Sequence, residues 1–448
     1  MLHDKLEVAM SVVYRGLMQT LSVTGIKKIW HWKKRLEREE KLPESKMNQI
    51  IDSRLNMLFR NLHNCTYYQQ IIEEHIDSKS SSLLSLQDFP ILTKEIIRSK
   101  LDNGLLANTS KSRARLDSTS GSTGVPLQFA KDMNNEDIKL ATEILFSEYT
   151  GWIFGQKQAH LWGEHHESLV SKIWKHYILR TKQFPPYLQS DSAAKSILHQ
   201  IKRWNPKLLT GYSSALYSFA DFFEQTNLLH ELSAIIASAE ALYSYQKKSV
   251  ETTFGSPVFM RYGSRELDNV AMECPERDGY HILRSRYIVE ILDDHNQPVR
   301  EGKIGHLVVT DLMNHVMPFV RYDTGDEASV SFAPCACGRS SPRLKELRGR
   351  TCDYIEVPSK NKVPALRFNV LFEQLGGVIH EFQIVQKTPS SIQLKVVPGR
   401  HFTQEWNMEQ MKTIISTILL DEMDIEIEIV DSIPRTKAGK LRYIIPLD

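Results

Sequence analysis

The 448-residue chain reads as an α/β protein: a large N-terminal domain of helices and short buried strands, then a small α+β domain. Three changes of texture predict this. Apolar residues at helical spacing fill the first part, short apolar runs bounded by turns mark strands in the middle, and strict alternation takes over from Tyr287. After Gly349-Arg350 the pattern changes again, which sets the boundary between residues 1–349 and 350–448.

The elements follow in order. Residues 1–75 predict a helical segment, with Met47, Ile50, Ile51, Leu55, Leu58, Phe59 and Leu62 at helical spacing. Lys27 to Lys41 holds five lysines, two arginines and two tryptophans, a composition that suits acidic lipid. Three glutamates dilute it, so a solvated helix anchored by its aromatics is the expectation. The serine-rich Ser78–Ser85 leads to Phe89-Pro90-Ile91-Leu92-Thr93-Lys94, an extended entry to another helix. Ala215, Leu216, Phe219, Ala220 and Phe223 make a helical face, while Ala234–Ala237 and Val258–Met260 read as buried strands. Tyr287, Val289 and Ile291 share a strand face before a turn at Asp293–Gln297. In the last hundred residues, 366–375 and 404–419 predict helices. Ile392, Leu394 and Val396 alternate there, as do Ile425, Ile427 and Ile429. There is no internal repeat.

Composition excludes several classes. With 41% hydrophobic and 25% charged residues the chain is neither disordered nor fibrous. Lys plus Arg total 56 against 54 Asp plus Glu, a net +2, which gives no footing for nucleic-acid binding. No run of about 18 apolar residues occurs, so no spanning helix is expected. The N-terminus lacks the pattern of a secretory signal. Five cysteines, Cys65, Cys274, Cys335, Cys337 and Cys352, are too few and too uneven for a disulfide framework. A cytoplasmic protein is expected.

Four short stretches carry chemistry. Ser118-Thr119-Ser120-Gly121-Ser122-Thr123-Gly124-Val125-Pro126 joins glycines, which permit close backbone approach, to hydroxyls that can cradle phosphate oxygens; it also has the composition of a linker. Tyr262-Gly263-Ser264-Arg265-Glu266 follows a strand, and offers an aromatic for a purine and a carboxylate for Mg²⁺, or mere packing. Arg321-Tyr322-Asp323-Thr324-Gly325-Asp326 puts Asp326 in a turn, able to accept two ribose hydroxyls or to cap the turn. Pro434-Arg435-Thr436-Lys437-Ala438-Gly439-Lys440 projects Lys440, which alone reads as solvated. Separately, Cys274, His281, Cys335 and Cys337 supply three thiolates and an imidazole, the donor set of a closed structural zinc site. Pro334 and Gly338 bracket the last pair in a turn. Cys65 is expected in the core.

In their order along the chain, these stretches resemble the adenylate-forming ligases: acyl-CoA synthetases, adenylation domains and luciferases. Residues 119–126 match the phosphate loop, 262–266 the aromatic-Gly-x-x-Glu segment, 324–326 the Thr-Gly-Asp, 349–350 the Gly-Arg hinge and 434–440 the C-terminal lysine motif. Asn64–Gln69, the Phe-Pro-Ile-Leu-Thr-Lys segment and Pro334-Cys335-Ala336-Cys337-Gly338-Arg339 are similar to the phenylacetate–coenzyme A ligase branch, which includes capsular-polysaccharide-associated homologues.

The resemblance implies an adenylate-forming ligase domain with a small mobile C-terminal lid. It implies that Thr119, Ser120, Gly121, Ser122, Thr123 and Gly124 hold the ATP phosphates. Ser238-Ala239-Glu240 with Tyr262 and Gly263 would form the adenine slot, Glu266 would hold Mg²⁺, and Asp326 would bind ribose with Arg350 close by. Lys440 would bridge substrate carboxylate and nucleotide. The implied reaction activates a carboxylic acid with ATP, releases pyrophosphate and passes the acyl group to coenzyme A. An amine or hydroxyl acceptor, or a non-catalytic zinc-held homologue, are the alternatives. Three positions depart from the pattern: Leu127 replaces a loop lysine, Arg265 a Thr or Ser, and Cys352 the usual hinge Asp or Lys. His160, Trp162 and Tyr212 are expected at the walls of the acid pocket.

Overall fold

The computed structural model describes residues 26–78, 84–107, 113–119, 126–163, 176–186, 191–223, 232–348, 354–360, 362–364, 368, 375, 378–399, 402–420, 422–435 and 441–447. They fall into two compact units, each made of two chain segments: Met1–Gln156 with Phe259–Leu347, and Lys157–Val258 with Arg348–Asp448.

In the first unit three helices lead, Ile26–Glu39, Glu44–Leu62 and Thr66–Ser78. The first buries Ile26, Ile29, Trp30 and Leu36 and packs on the helix Glu136–Tyr149. Two of the three glutamates between Lys27 and Lys41 do not dilute the outer charge: Glu39, at the helix end, is buried against Arg54 at 2.7 Å, and Glu40, just after it, is buried on the Tyr149 hydroxyl. Seven strands form a sheet in the order Tyr287–Leu292, Gly305–Asp311, Tyr322–Ser331, Arg343–Arg348, Tyr280–Ile282, Asp268–Glu273 and Val258–Ser264. The alternation from Tyr287 onward becomes antiparallel pairing, and the turn at Asp293 is closed by its carboxylate accepting the N–H groups of His295 and Gln297, each at 2.9 Å. A separate hairpin pairs Ala114–Ser118 with Gln128–Asp132.

The Phe-Pro-Ile-Leu-Thr-Lys segment is a brace. Leu92 bridges Tyr322: its N–H donates to the Arg321 carbonyl at 2.9 Å and its carbonyl accepts from Asp323 at 3.0 Å. Thr93 then caps the helix Lys94–Lys100, and Lys94 Nζ reaches the Thr324 carbonyl at 2.9 Å. The cap ends the extended stretch because its hydroxyl takes a helix N–H that has no intrahelical acceptor.

In the second unit the strands Ala234–Ser238, Leu208–Tyr212, Gln158–Leu161 and Thr181–Phe184 are parallel neighbours in that order. The central ones are buried along their whole length, which is why Ala234–Ala237 reads as a continuous apolar run. The C-terminal segment forms a four-stranded sheet, ordered Asp424–Ile429, Ser391–Pro398, Ile379–Thr388 and Ile444–Ile445, beside the helix Gln404–Ile418. Ile392, Leu394, Val396, Met411 and Ile415 meet in its core. Almost all of the helix expected over 366–375 lies outside the described residues. Among the described residues no helix is long and apolar enough to cross a membrane.

Candidate active site and metal centre

In the first unit, two motifs 60 residues apart in sequence are tied together by tyrosines. Tyr262, on the strand Val258–Ser264, donates its hydroxyl to Asp326 Oδ2 at 2.7 Å. Tyr322 donates to Glu266 Oε1 at 2.8 Å. Burial, and then the charge of Asp326, push the Tyr262 hydroxyl well above its ordinary pKa, so it stays a donor. Gly263 is needed here: a Cβ on it would lie 2.0 Å from the Asp268 carbonyl oxygen.

Asp326 does not sit in a turn, as expected from sequence. It lies within the strand Tyr322–Ser331, where the pairing with Gly305–Asp311 slips. Gly325 adopts φ +77°, a left-handed conformation that a side chain disfavours. Thr324 Oγ1 donates to the Leu307 carbonyl at 2.9 Å and accepts the Asp326 N–H at 3.1 Å. The glycine and the threonine hydroxyl let a bulge do the work of a turn.

Thr119 closes the ends of the serine-glycine loop. Its N–H donates to the Leu127 carbonyl at 2.9 Å, and its Oγ1 accepts the Leu127 N–H at 3.0 Å. Ser120, Gly121, Ser122, Thr123 and Gly124 lie outside the described residues, as do Arg350, Cys352 and Lys440. Leu127 is buried, so the departure from lysine packs inward. Arg265 pairs with Asp117 at 3.2 Å, on the strand that enters the loop.

In the second unit, Trp162, Tyr212 and Ser238 follow or end parallel strands at their carboxyl ends, where ligands bind in such sheets. Tyr212 and Ser238 are cross-strand partners, and the Trp162 and Tyr212 rings lie 4.1 Å apart. His160 stands one turn of the pleat earlier, 3.3 Å from Gln158. Ala239 takes φ +72°, which bends the chain so that Glu240 Oε2 accepts the Ser214 N–H at 3.0 Å. The other oxygen, Oε1, accepts the N–H of Leu441 at 3.4 Å, the residue after Lys440.

The four expected metal ligands come together in the first unit. Cys274, His281, Cys335 and Cys337 have their donor atoms within 4.8 Å of one another. Cys274 and Cys335 sulfurs are 3.7 Å apart, and Cys337 Sγ is 3.3 Å from His281 Nε2. Gly338, at φ +79°, turns the chain after the pair. Burial, with Arg339 and Arg343 adding, lowers His281 to about 4, leaving a neutral ring for a metal; Nδ1 faces Ser341 Oγ at 2.9 Å. Burial raises the Cys274 thiol to about 12. Cys337 is lowered: burial acts against this, but the backbone and guanidinium of Arg339 outweigh it. Cys65 is buried in the core, its thiol raised to about 12 by burial.

Sequence reasoning missed a buried charge network beside Glu266. Asp268 meets Lys131, Arg286 at 3.3 Å and Lys139 at 3.8 Å, and Arg286 also pairs with Asp311 at 3.0 Å. Burial alone would raise Asp268, but Lys131 and Arg286 hold it below the usual carboxylate range. Nothing in the pattern of the strand Gln128–Asp132 marks Lys131, because Phe129 to Asp132 are all buried.

Comparison with known proteins agrees with the motif order. A phenylacetate–coenzyme A ligase of Thermus thermophilus is 25% identical over 441 residues, covering 91% of this chain and 98% of that protein. The chain is similar to the phenylacetate–coenzyme A ligases. A second ligase of that name, from Aromatoleum evansii, is 24% identical over 73% of this chain and 76% of its own length. The family described as the CapK C-terminal domain matches residues 355–446 of this ligase relative. Its fold is that of the solved 2-hydroxyisobutyryl-CoA ligase in the postadenylation state in complex with 2-HIB-AMP: TM-score 0.73, 20% identity, 92% of this chain and 91% of that one.

Proposed function

We propose that this ligase relative activates a carboxylic acid with ATP and then transfers the acyl group to coenzyme A. In the first half-reaction a carboxylate oxygen attacks the α-phosphorus, the bond to the β-phosphate oxygen breaks, and pyrophosphate leaves with the electron pair. In the second, the coenzyme A thiol loses its proton, sulfur attacks the acyl carbonyl, and AMP departs.

The observation that carries this reading is the double tyrosine tie. Tyr262 holds Asp326 and Tyr322 holds Glu266, so a ribose-type carboxylate and a metal-type carboxylate are fixed on neighbouring motifs before any ligand arrives. Preorganised charge acts most where charge develops. Asp326 accepts ribose hydroxyls, while Glu266, with an oxygen beyond its Tyr322 bond, would hold Mg²⁺. Bound there, Mg²⁺ would neutralise charge on the phosphates. On the same reading Thr119 to Gly124 would bind those phosphates, Ser238, Ala239, Glu240, Tyr262 and Gly263 would serve the base, and Arg350 the ribose. The Leu441 contact with Glu240 supports a role for Lys440 at the same nucleotide. The lid is residues 350–448, turning about the 350–352 segment.

Cys274, His281, Cys335 and Cys337 would hold one zinc, closed to substrate and structural in role. All the cysteines described are free thiols, which suits a reducing cytoplasm.

A panel of carboxylic acids, assayed for pyrophosphate release with and without coenzyme A, tests the reading. A competent acid gives slow release that coenzyme A accelerates, with a thioester as product. Release with no acid in a broad panel, despite ATP binding, would overturn it.

A further inference from the structure

The turn that carries Glu266 is gripped from several sides. Ser264 Oγ accepts the Leu267 N–H at 3.2 Å, and the Tyr287 hydroxyl donates to the Leu267 carbonyl. Asp268 opens the next strand at φ +61°, a left-handed conformation that a non-glycine residue keeps only where its surroundings enforce it. Charged side chains also hold this residue. The Asp268 carboxylate receives Lys131 on one oxygen and Arg286 on the other, and Arg286 is shared with Asp311. These four side chains are between 1% and 7% exposed.

Lys131 comes from the strand Gln128–Asp132, which leaves the loop closed by Thr119 and Leu127. The ion pair therefore joins the strand bearing the serine-glycine loop to the turn bearing Glu266. Glu266, Lys131, Asp268, Arg286 and Asn314 line one small cavity of about 10 Å³, so the network and the carboxylate share a wall.

A buried ion pair is poor value as a stabiliser, because apolar replacements of similar shape are often neutral or better. What such a pair fixes is geometry. We propose that Lys131 and Asp268 are positioning residues for the metal: their ion pair sets Glu266 against the strand that bears the phosphate loop. This rests on the reading of Glu266 as the Mg²⁺ carboxylate. Neither residue touches the reacting atoms.

The test uses the full chain, with Mn²⁺ as the probe, titrated by electron paramagnetic resonance in the presence of ATP. Melting temperature is recorded for every variant. Asp268→Asn alone leaves Lys131 uncompensated and can unfold the turn, so the decisive variant is the double Lys131→Met, Asp268→Asn, which removes both charges. It should melt near the parent temperature yet bind Mn²⁺ between about 10- and 100-fold more weakly, the usual effect of losing a group that orients a metal ligand. Lys131→Arg alone, which keeps the charge opposite Asp268, should retain most of the affinity. Glu266→Ala is the control. If it weakens Mn²⁺ binding and the double variant does not, the pair is structural only and the positioning role is wrong. If Glu266→Ala leaves Mn²⁺ binding unchanged, the reading of Glu266 falls and the positioning role falls with it.

Discussion

Replacing Cys337 by serine should empty the metal centre, and the geometry says why one atom is enough. Tetrahedral zinc with Zn–S bonds of about 2.3 Å sets two sulfurs about 3.75 Å apart, and a sulfur and an imidazole nitrogen about 3.6 Å apart. The Cys274–Cys335 separation is 3.7 Å and the Cys337–His281 separation 3.3 Å, so these two pairs need only tenths of an ångström to fit the ion, and all four donors lie within 4.8 Å of one another. A serine hydroxyl at 337 ligates zinc far more weakly than a thiolate. With zinc at a thousand times its dissociation constant, occupancy of the folded state contributes about 4 kcal/mol. The parent should therefore carry about one zinc per chain, and Cys337→Ser should lose both the metal and several degrees of melting temperature. Zinc is read by a colorimetric chelator after denaturation, and melting by calorimetry on the same samples. Acid should act in the same way. His281 is held near 4 when folded, against 6.5 when free, so the unfolded state binds the extra proton between those values and stability rises with pH across that window. A parent protein isolated without metal, melting where Cys337→Ser melts, would refute the centre.

Three further outcomes are expected. Asp326→Ala should weaken ATP binding by about 1.5–3 kcal/mol, the size of a charge-assisted hydrogen bond; calorimetry showing unchanged affinity would refute the ribose role. Lys440→Ala should slow adenylate formation by roughly 10²–10³-fold and largely spare transfer from a preformed adenylate, and equal losses in both half-reactions would count against a moving lysine. Burial acts to lower His380, but Asp221, 2.8 Å away, and Glu381 outweigh it and raise its pKa. Its contribution is therefore full below about 6.5 and is lost as pH rises through the folded value. Melting temperature should fall more steeply above neutral pH in the parent than in His380→Gln, and parallel curves would refute the pair.

Much of this molecule was legible because its local signals are strong. The Ile392 and Ile425 alternations became neighbouring strands, and residues 404–418 a helix, because each turns apolar residues of regular period toward the core, with Ile425 and Ile427 half-buried against it. The gathering of Cys274, His281, Cys335 and Cys337 was legible from donor type. Other features were not. Phe129, Ala130, Lys131 and Asp132 are all buried, so their strand has no period-two pattern to announce which side chain is special. Asp268, Arg286 and Asp311 each look like ordinary surface charges in sequence, and only long-range pairing cancels them. The bulge at Asp326 was mistaken for a turn because Thr-Gly-Asp has turn composition. The hydroxyl of Thr324 and the freedom of Gly325 instead keep the strand running through it.

On the proposed reading, Glu240 serves both the nucleotide site and the C-terminal tail with one carboxylate. Its Oε2 accepts the Ser214 N–H at 3.0 Å, at the start of the helix Ser213–Phe222, where unpaired N–H groups and the helix dipole favour a negative charge. Ser213 Oγ also donates to the Glu240 carbonyl at 2.9 Å. Those two bonds lie within residues 213–240 and hold Ser-Ala-Glu in place on their own. The bond to Leu441 is longer, 3.4 Å, and goes to the other oxygen. Withdrawal of the tail would therefore break one weak contact and leave the motif standing. The firmer link between the C-terminal segment and residues 157–258 is His380, paired with Asp221 and stacked on Tyr217 at 5.7 Å. On the proposed reading, release of residues 350–448 would have to break the His380–Asp221 pair as well as the Leu441 contact.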